Sequence, residues 1–246
     1  MGRRVEPDVP LEVITVPSLR ELRRRLPRLL IGIVLLGVGI AMMVQARLGL
    51  SPYDVLHQGL AKRTGLSLGV VVVLLGIVIL VLWIPLRQRP GIGTVINTLT
   101  VGLVIDVALQ VLPEPDLAVA RIAMLLAGIV ITGLGMGLYI GAGLGPGPRD
   151  GLMTGIAARG YPLWAVRTVL ELTALVAGWA LGGNVGPGTI LFAFSIGPLG
   201  HFFLARLRLG LPGSPSQAPA PAAPVGKAAV AAGSTDEDMG PGTACE

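Results

Sequence analysis

LLIGIVLLGVGIAMMVQARLGLSPYDVLHQGLAKR, residues 29–63, returns as LLAGIVITGLGMGLYIGAGLGPGPRDGLMTGIAAR at residues 125–159. At a fixed offset of 96, 16 of these 35 positions are identical, among them Gly32/Gly128, Gly37/Gly133, Gly39/Gly135, Gly59/Gly155 and Arg63/Arg159. The likeness continues downstream. Trp83 matches Trp179 at the same offset, and at an offset of 95 Gly91, Gly93, Thr94 and Gly102 match Gly186, Gly188, Thr189 and Gly197. The chain is a duplicated unit of helix, short motif segment, helix and helix.

The medium follows from composition. Of 246 residues, 52% are hydrophobic and 13% charged, about half the ~25% charge of soluble domains. Mean hydropathy is +0.77. Only a bilayer can take up that much apolar surface. The net charge of +5 does not point to nucleic acid, because the basic residues sit at the ends of apolar stretches, where they set membrane topology. The single cysteine, Cys245, rules out a disulfide within the chain. The N-terminus is charged up to Arg28 and no cleavable signal peptide is expected.

Six stretches have membrane length: 29–46, 67–86, 92–111, 119–141, 162–181 and 188–205. The turn signals LGLSPYD, RQRPG, LPEPD, LGPGPRD and NVGPG separate them. The expected organisation is a basic N-terminal segment (1–27), a first membrane repeat (28–112), a second (113–208) and a disordered Pro/Ala/Gly-rich tail (209–246). With the N-terminus inside, the inner flanks hold Arg20, Arg23, Arg24, Arg25, Arg28, Arg87, Arg89, Arg149, Arg159, Arg206 and Arg208. The outer flanks hold only Arg47, Lys62, Arg63 and Arg121. The basic bias places both termini in the cytoplasm.

Three spans per unit is an odd number, so the second unit enters the bilayer upside down. The expected fold is an all-α polytopic membrane protein: six transmembrane helices as two inverted-topology three-helix repeats, each with a short LG-x-x-P-x-D-initiated helix. Residues 52–63 carry Asp54, His57, Gln58, Lys62 and Arg63, too polar and too short to span.

The paired motif Leu48, Gly49, Pro52, Asp54 and Leu144, Gly145, Pro148, Asp150, in a six-span chain with a basic N-terminus, resembles the YczE/YitT-type family of bacterial integral membrane proteins over roughly residues 20–208. The larger cytoplasmic C-terminal domain of some YitT-type members has no counterpart, so the resemblance is to the shorter YczE type. It implies a protein of the bacterial cytoplasmic membrane with transport-like character. It supplies no catalytic residues.

Asp54 and Asp150 are the first candidates for a solute or ion pathway. Ser51-Pro52-Tyr53-Asp54 reads as a helix start, with Ser as N-cap and Pro at the first helical position; Gly147-Pro148-Arg149-Asp150 reads likewise. A carboxylate there stabilises the helix start by roughly 0.5–2 kcal/mol. The same groups, on two short helices entering from opposite sides near Tyr53 and Arg149, suit a site for a polar solute or coupling cation. Arg167 and Glu171 lie one turn apart within the fifth span, where ionisable groups cost on the order of 2.5–3.5 kcal/mol each. They read as a structural ion pair or a substrate-facing pair, and the first repeat has Val71 and Leu75 there. His57 and Gln58 lie at the mouth of the first short segment, lining it or simply wet. Asp106 and His201 are expected to be solvated at opposite boundaries. Asn97, Thr98, Thr100 and Ser195 read as interhelical hydrogen-bond partners. The repeated glycines read as close-packing points in lipid. No CxxC, HExxH or GxSxG motif is present, so no enzyme activity, metal or cofactor is expected. The expected function is a carrier for a small polar or ionic solute, in contact with the lipid bilayer; the alternative is a non-transporting accessory or regulatory membrane protein.

Overall fold

The computed structural model describes residues 19–207. The tail 209–246 and residues 1–18 lie outside this range. Eight helices and no strand occur among the described residues: α1 (Leu19–Ala46), α2 (Pro52–Thr64), α3 (Leu68–Leu86), α4 (Ile92–Val111), α5 (Ala118–Gly141), α6 (Pro148–Ala157), α7 (Leu163–Ala180) and α8 (Pro187–Leu207). Six of them are long and apolar enough to cross a membrane. α2 and α6 are the two short motif helices. The expected spans agree within a few residues except at the start. There α1 continues back to Leu19, so Arg23, Arg24, Arg25 and Arg28 ride on the first turns of the spanning helix rather than on a separate segment.

α1 and α5, the first helix of each repeat, form the centre. A Cβ on Gly32 would meet the Gly135 carbonyl at 2.9 Å, and one on Gly39 would meet the Gly128 carbonyl at 2.8 Å. As residue numbers rise along α1 they fall along α5, so the helices cross in opposite directions. The same two positions of each copy make the contact. α4 packs on α1 as α8 packs on α5, and each short helix lies on the other repeat: α2 on α7, α6 on α3. Side chains such as Leu103, Val111, Val119 and Phe194 remain exposed, which suits a lipid surround rather than water.

The LG turns lock the halves together. Gly93 N–H donates to the Leu144 carbonyl (2.9 Å) and Gly188 N–H to the Leu48 carbonyl (2.8 Å). Gly49 and Gly145 have φ of 115° and 129°, a region that side chains resist. A Cβ on Gly49 would meet Gly186 N at 2.8 Å, and one on Gly145 would meet Thr94 Oγ1 at 2.7 Å. Thr94 Oγ1 donates to the Pro146 carbonyl at 2.7 Å. The motif glycines therefore let each turn approach the start of the other repeat's last helix.

The halves differ at their outer helices. α3 packs on α4 where Gly69 and Gly102 bring the backbones together. α7 packs on α2 and α6 and makes no comparable pairing with α8; Gly197, the counterpart of Gly102, has nothing within 4 Å of a Cβ. Replacing Gly49 or Gly145 by Ala is expected to destabilise the protein by about 1–3 kcal/mol, from backbone strain plus overpacking. Gly197→Ala is expected to be neutral. Thermal unfolding of the purified chain in detergent checks the contrast.

Candidate functional site

The motif segments build two helix starts. Ser51 is the N-cap of α2: its Oγ accepts from Asp54 N–H at 3.2 Å, and its hydroxyl donates to Asp54 Oδ2 at 2.5 Å. The other carboxylate oxygen, Oδ1, meets His57 Nδ1 at 3.3 Å. The carboxylate sits between the hydroxyl and the imidazole, so the three groups do not form a nucleophile relay, in which the histidine must be central. α6 begins the same way with Pro148 at its first position, but Gly147 gives it no side-chain cap.

Both starts open into one cavity of about 140 Å³. Its walls draw on matched positions of the two repeats: Leu36 and Thr132, Ile40 and Met136, Tyr53 and Arg149, Asp54 and Asp150, Asn97 and Phe192, Val101 and Ile196. The Arg149 guanidinium carbon lies 5.4 Å from the centre of the Tyr53 ring. Both helices begin inside the bundle, and the long side chains of these two counterparts meet.

A second cavity of about 180 Å³ adjoins the first, lined by Arg149, Asp150, Arg167, Glu171 and His201 among others. It lies among α5, α6, α7 and α8. Arg149 and Asp150 border both cavities. Arg167 Nε donates to Glu171 Oε1 at 3.0 Å, so this pair is local, on the wall of the second cavity. His201 is exposed on that wall. Among the described residues, no cluster of three or more His, Cys, Asp or Glu fits a metal ion.

Several polar residues differ from their sequence reading. Asp106 is not simply solvated: it accepts from Ser67 Oγ at 2.6 Å and from Gly69 N–H at 2.7 Å, anchoring the start of α3. Gln58 accepts from Asn184 N–H at 2.7 Å, and His57 is half-buried against Asp54, so neither is merely wet. Thr98 and Thr100 hydroxyls turn back onto their own helix, to the Thr94 and Ile96 carbonyls. Asn97 Oδ1, Thr132 Oγ1 and Tyr139 Oη are buried without a hydrogen-bond partner, and all three residues line the first cavity. Thr132 and Tyr139 escaped the sequence reading because their counterparts, Leu36 and Met43, are apolar. That asymmetry was itself the available signal.

Trp83 shows how a single residue breaks the symmetry. Its indole N–H donates to the Pro148 carbonyl at 3.0 Å, and its ring fills the space above Gly151. Trp179 has Val55 at the corresponding place and is 68% exposed.

The geometry defines a polytopic helical membrane protein with an internal cavity, largely apolar with a few polar groups, at the starts of two short helices. The chain belongs to the family of unknown function DUF6198, matched over residues 23–205. It is similar to an uncharacterized protein of Haemophilus influenzae (39% identity; 72% of this chain, 81% of the relative). It is also similar to the uncharacterized membrane protein YczE of Bacillus subtilis (35%; 71% and 83%) and to YyaS of the same organism (31%; 71% and 89%). No solved structure matches.

Asp106→Ala is expected to cost roughly 1–3 kcal/mol, since it leaves the Gly69 N–H and the Ser67 hydroxyl unpartnered. Gly151→Val is expected to expel the Trp83 ring. Melting temperature reads the first, and indole fluorescence reads the second.

Proposed function

We propose that the protein is a carrier for a small polar solute, built as two inverted repeats around a site at the bilayer midplane, with both termini cytoplasmic. The observation that carries this reading is the first cavity, walled by matched residues of both copies at the starts of two short helices. Broken or short helices that aim their amino ends at a central site are the usual solution for binding polar solutes in inverted-repeat carriers.

Two further observations support it. Tyr53 and Arg149 are each other's counterparts, and equivalent residues of two symmetric halves meet only on the axis relating them. For inverted repeats that axis lies in the membrane plane, so their contact falls at its middle. The halves are also unequally closed: α3 and α4 are tightly packed, whereas α7 and α8 stand apart with the second cavity between them. By the basic bias of the flanks, α6 and the entrance to α7 face the cytoplasm. On this reading the arrangement is inward-open and the second cavity is its vestibule. Exchange of the two arrangements gives the outward-open state. No reaction is catalysed in this cycle.

A carrier that alternates exposes its site to each side in turn. In a variant with Cys245→Ser, a cysteine at Val101 is expected to react with a small, charged, membrane-impermeant methanethiosulfonate added on either face. Reaction from neither face would favour the accessory-protein reading. Gly197→Val should leave the melting temperature unchanged, because the site is open in this state. It should block two-sided labelling, because closing α7 on α8 would need that space.

A further inference from the structure

The first cavity contains an unusual surplus of unmade hydrogen bonds. Asn97, Thr132 and Tyr139 are 6%, 4% and 3% exposed, yet Asn97 Oδ1, Thr132 Oγ1 and Tyr139 Oη have no partner. A buried polar atom left unpaired costs roughly 1–3 kcal/mol. Three around one void mark a place built for a polar guest rather than for packing. Their counterparts in the other repeat, Phe192, Leu36 and Met43, carry no such groups, so fold symmetry did not require them.

The charged groups say what kind of guest. Asp54 is satisfied, with one oxygen on Ser51 and the other at His57. Arg149 and Asp150 form only a loose ion pair, 3.9 Å apart, and the Arg149 guanidinium lies over the face of Tyr53 within the field of Asp54 and Glu171. Arg149 thus presents guanidinium donors beside the start of α6, where the helix dipole also favours an anion. Asp150 and Asn97 Oδ1 offer acceptors in the same cavity. Donors for an anion and acceptors for a cation, in one small volume, match a molecule bearing both charges. A cavity of about 150 Å³ holds a benzene-sized molecule, which has as many heavy atoms as alanine.

We propose that this cavity binds a small zwitterion of amino-acid size, its carboxylate on Arg149 and its ammonium group toward Asp150 and Asn97. As an account of cargo the proposal rests on the carrier reading; as an account of binding it stands apart from it. The test uses the full chain in nanodiscs, with alanine, acetate and ethylamine as probes and calorimetric titration and thermal shift as readouts. Alanine is expected to give a saturable shift, with acetate and ethylamine giving none at equal concentration. Tyr139→Phe is expected to weaken alanine binding about tenfold while keeping or raising the melting temperature of the empty protein, because it removes an unpaired hydroxyl. A merely structural hydroxyl would lower it. Arg149→Gln is expected to abolish the alanine shift. Equal shifts from acetate or ethylamine alone would overturn the zwitterion assignment. No shift from any probe, with water alone filling the cavity, would overturn it too. Two-sided labelling of the Val101→Cys protein without alanine binding would leave a carrier of other cargo; alanine binding without two-sided labelling would leave a ligand-binding protein that does not transport.

Discussion

The structure depends on a main-chain exchange between its two copies. The Leu48 carbonyl accepts from Gly188 and the Leu144 carbonyl from Gly93, so each LG turn is completed by the other repeat. Buried backbone groups must be satisfied within the protein, because no water reaches them. The irregular turns are tolerable only because these bonds exist, and the bonds form only because glycine stands on both sides of the contact. Everything functional is downstream: the turns set where α2 and α6 begin, and those starts set the cavity.

Seen this way, the LG-x-x-P-x-D motif has one role per residue. The leucine carbonyl docks on the partner repeat. The glycine supplies the positive φ and the close approach. The proline fixes the first helical position. The aspartate stands in the first turn, where at Asp54 it is held by Ser51 and His57. The motif describes the joint between the copies more than it describes chemistry. That is why it recurs unchanged while most other residues facing the cavity diverge.

The same distinction explains what the sequence made legible. Six spans, the two short helices and the Ser51 cap were readable because length, hydropathy and capping chemistry are local. The glycine seams were readable from the repeat. The partners of Asp106 and Gln58 were not, since they lie far along the chain, at the start of α3 and in the segment between α7 and α8. Nor were the unpaired atoms at Asn97, Thr132 and Tyr139, because orphaning is a property of the assembled cavity. Comparing each polar residue with its apolar counterpart would have singled out Thr132 and Tyr139 without coordinates.

The central claim is that the copies run in opposite directions through the lipid. The most direct measurement is sidedness of the outer ends of α2 and α6. In intact cells carrying the Cys245→Ser chain, single cysteines are placed at Arg63 or at Arg159 and exposed to a membrane-impermeant thiol reagent. The account predicts that Arg63→Cys reacts from outside and Arg159→Cys reacts only after the cells are opened. Reaction of both from one face would contradict it.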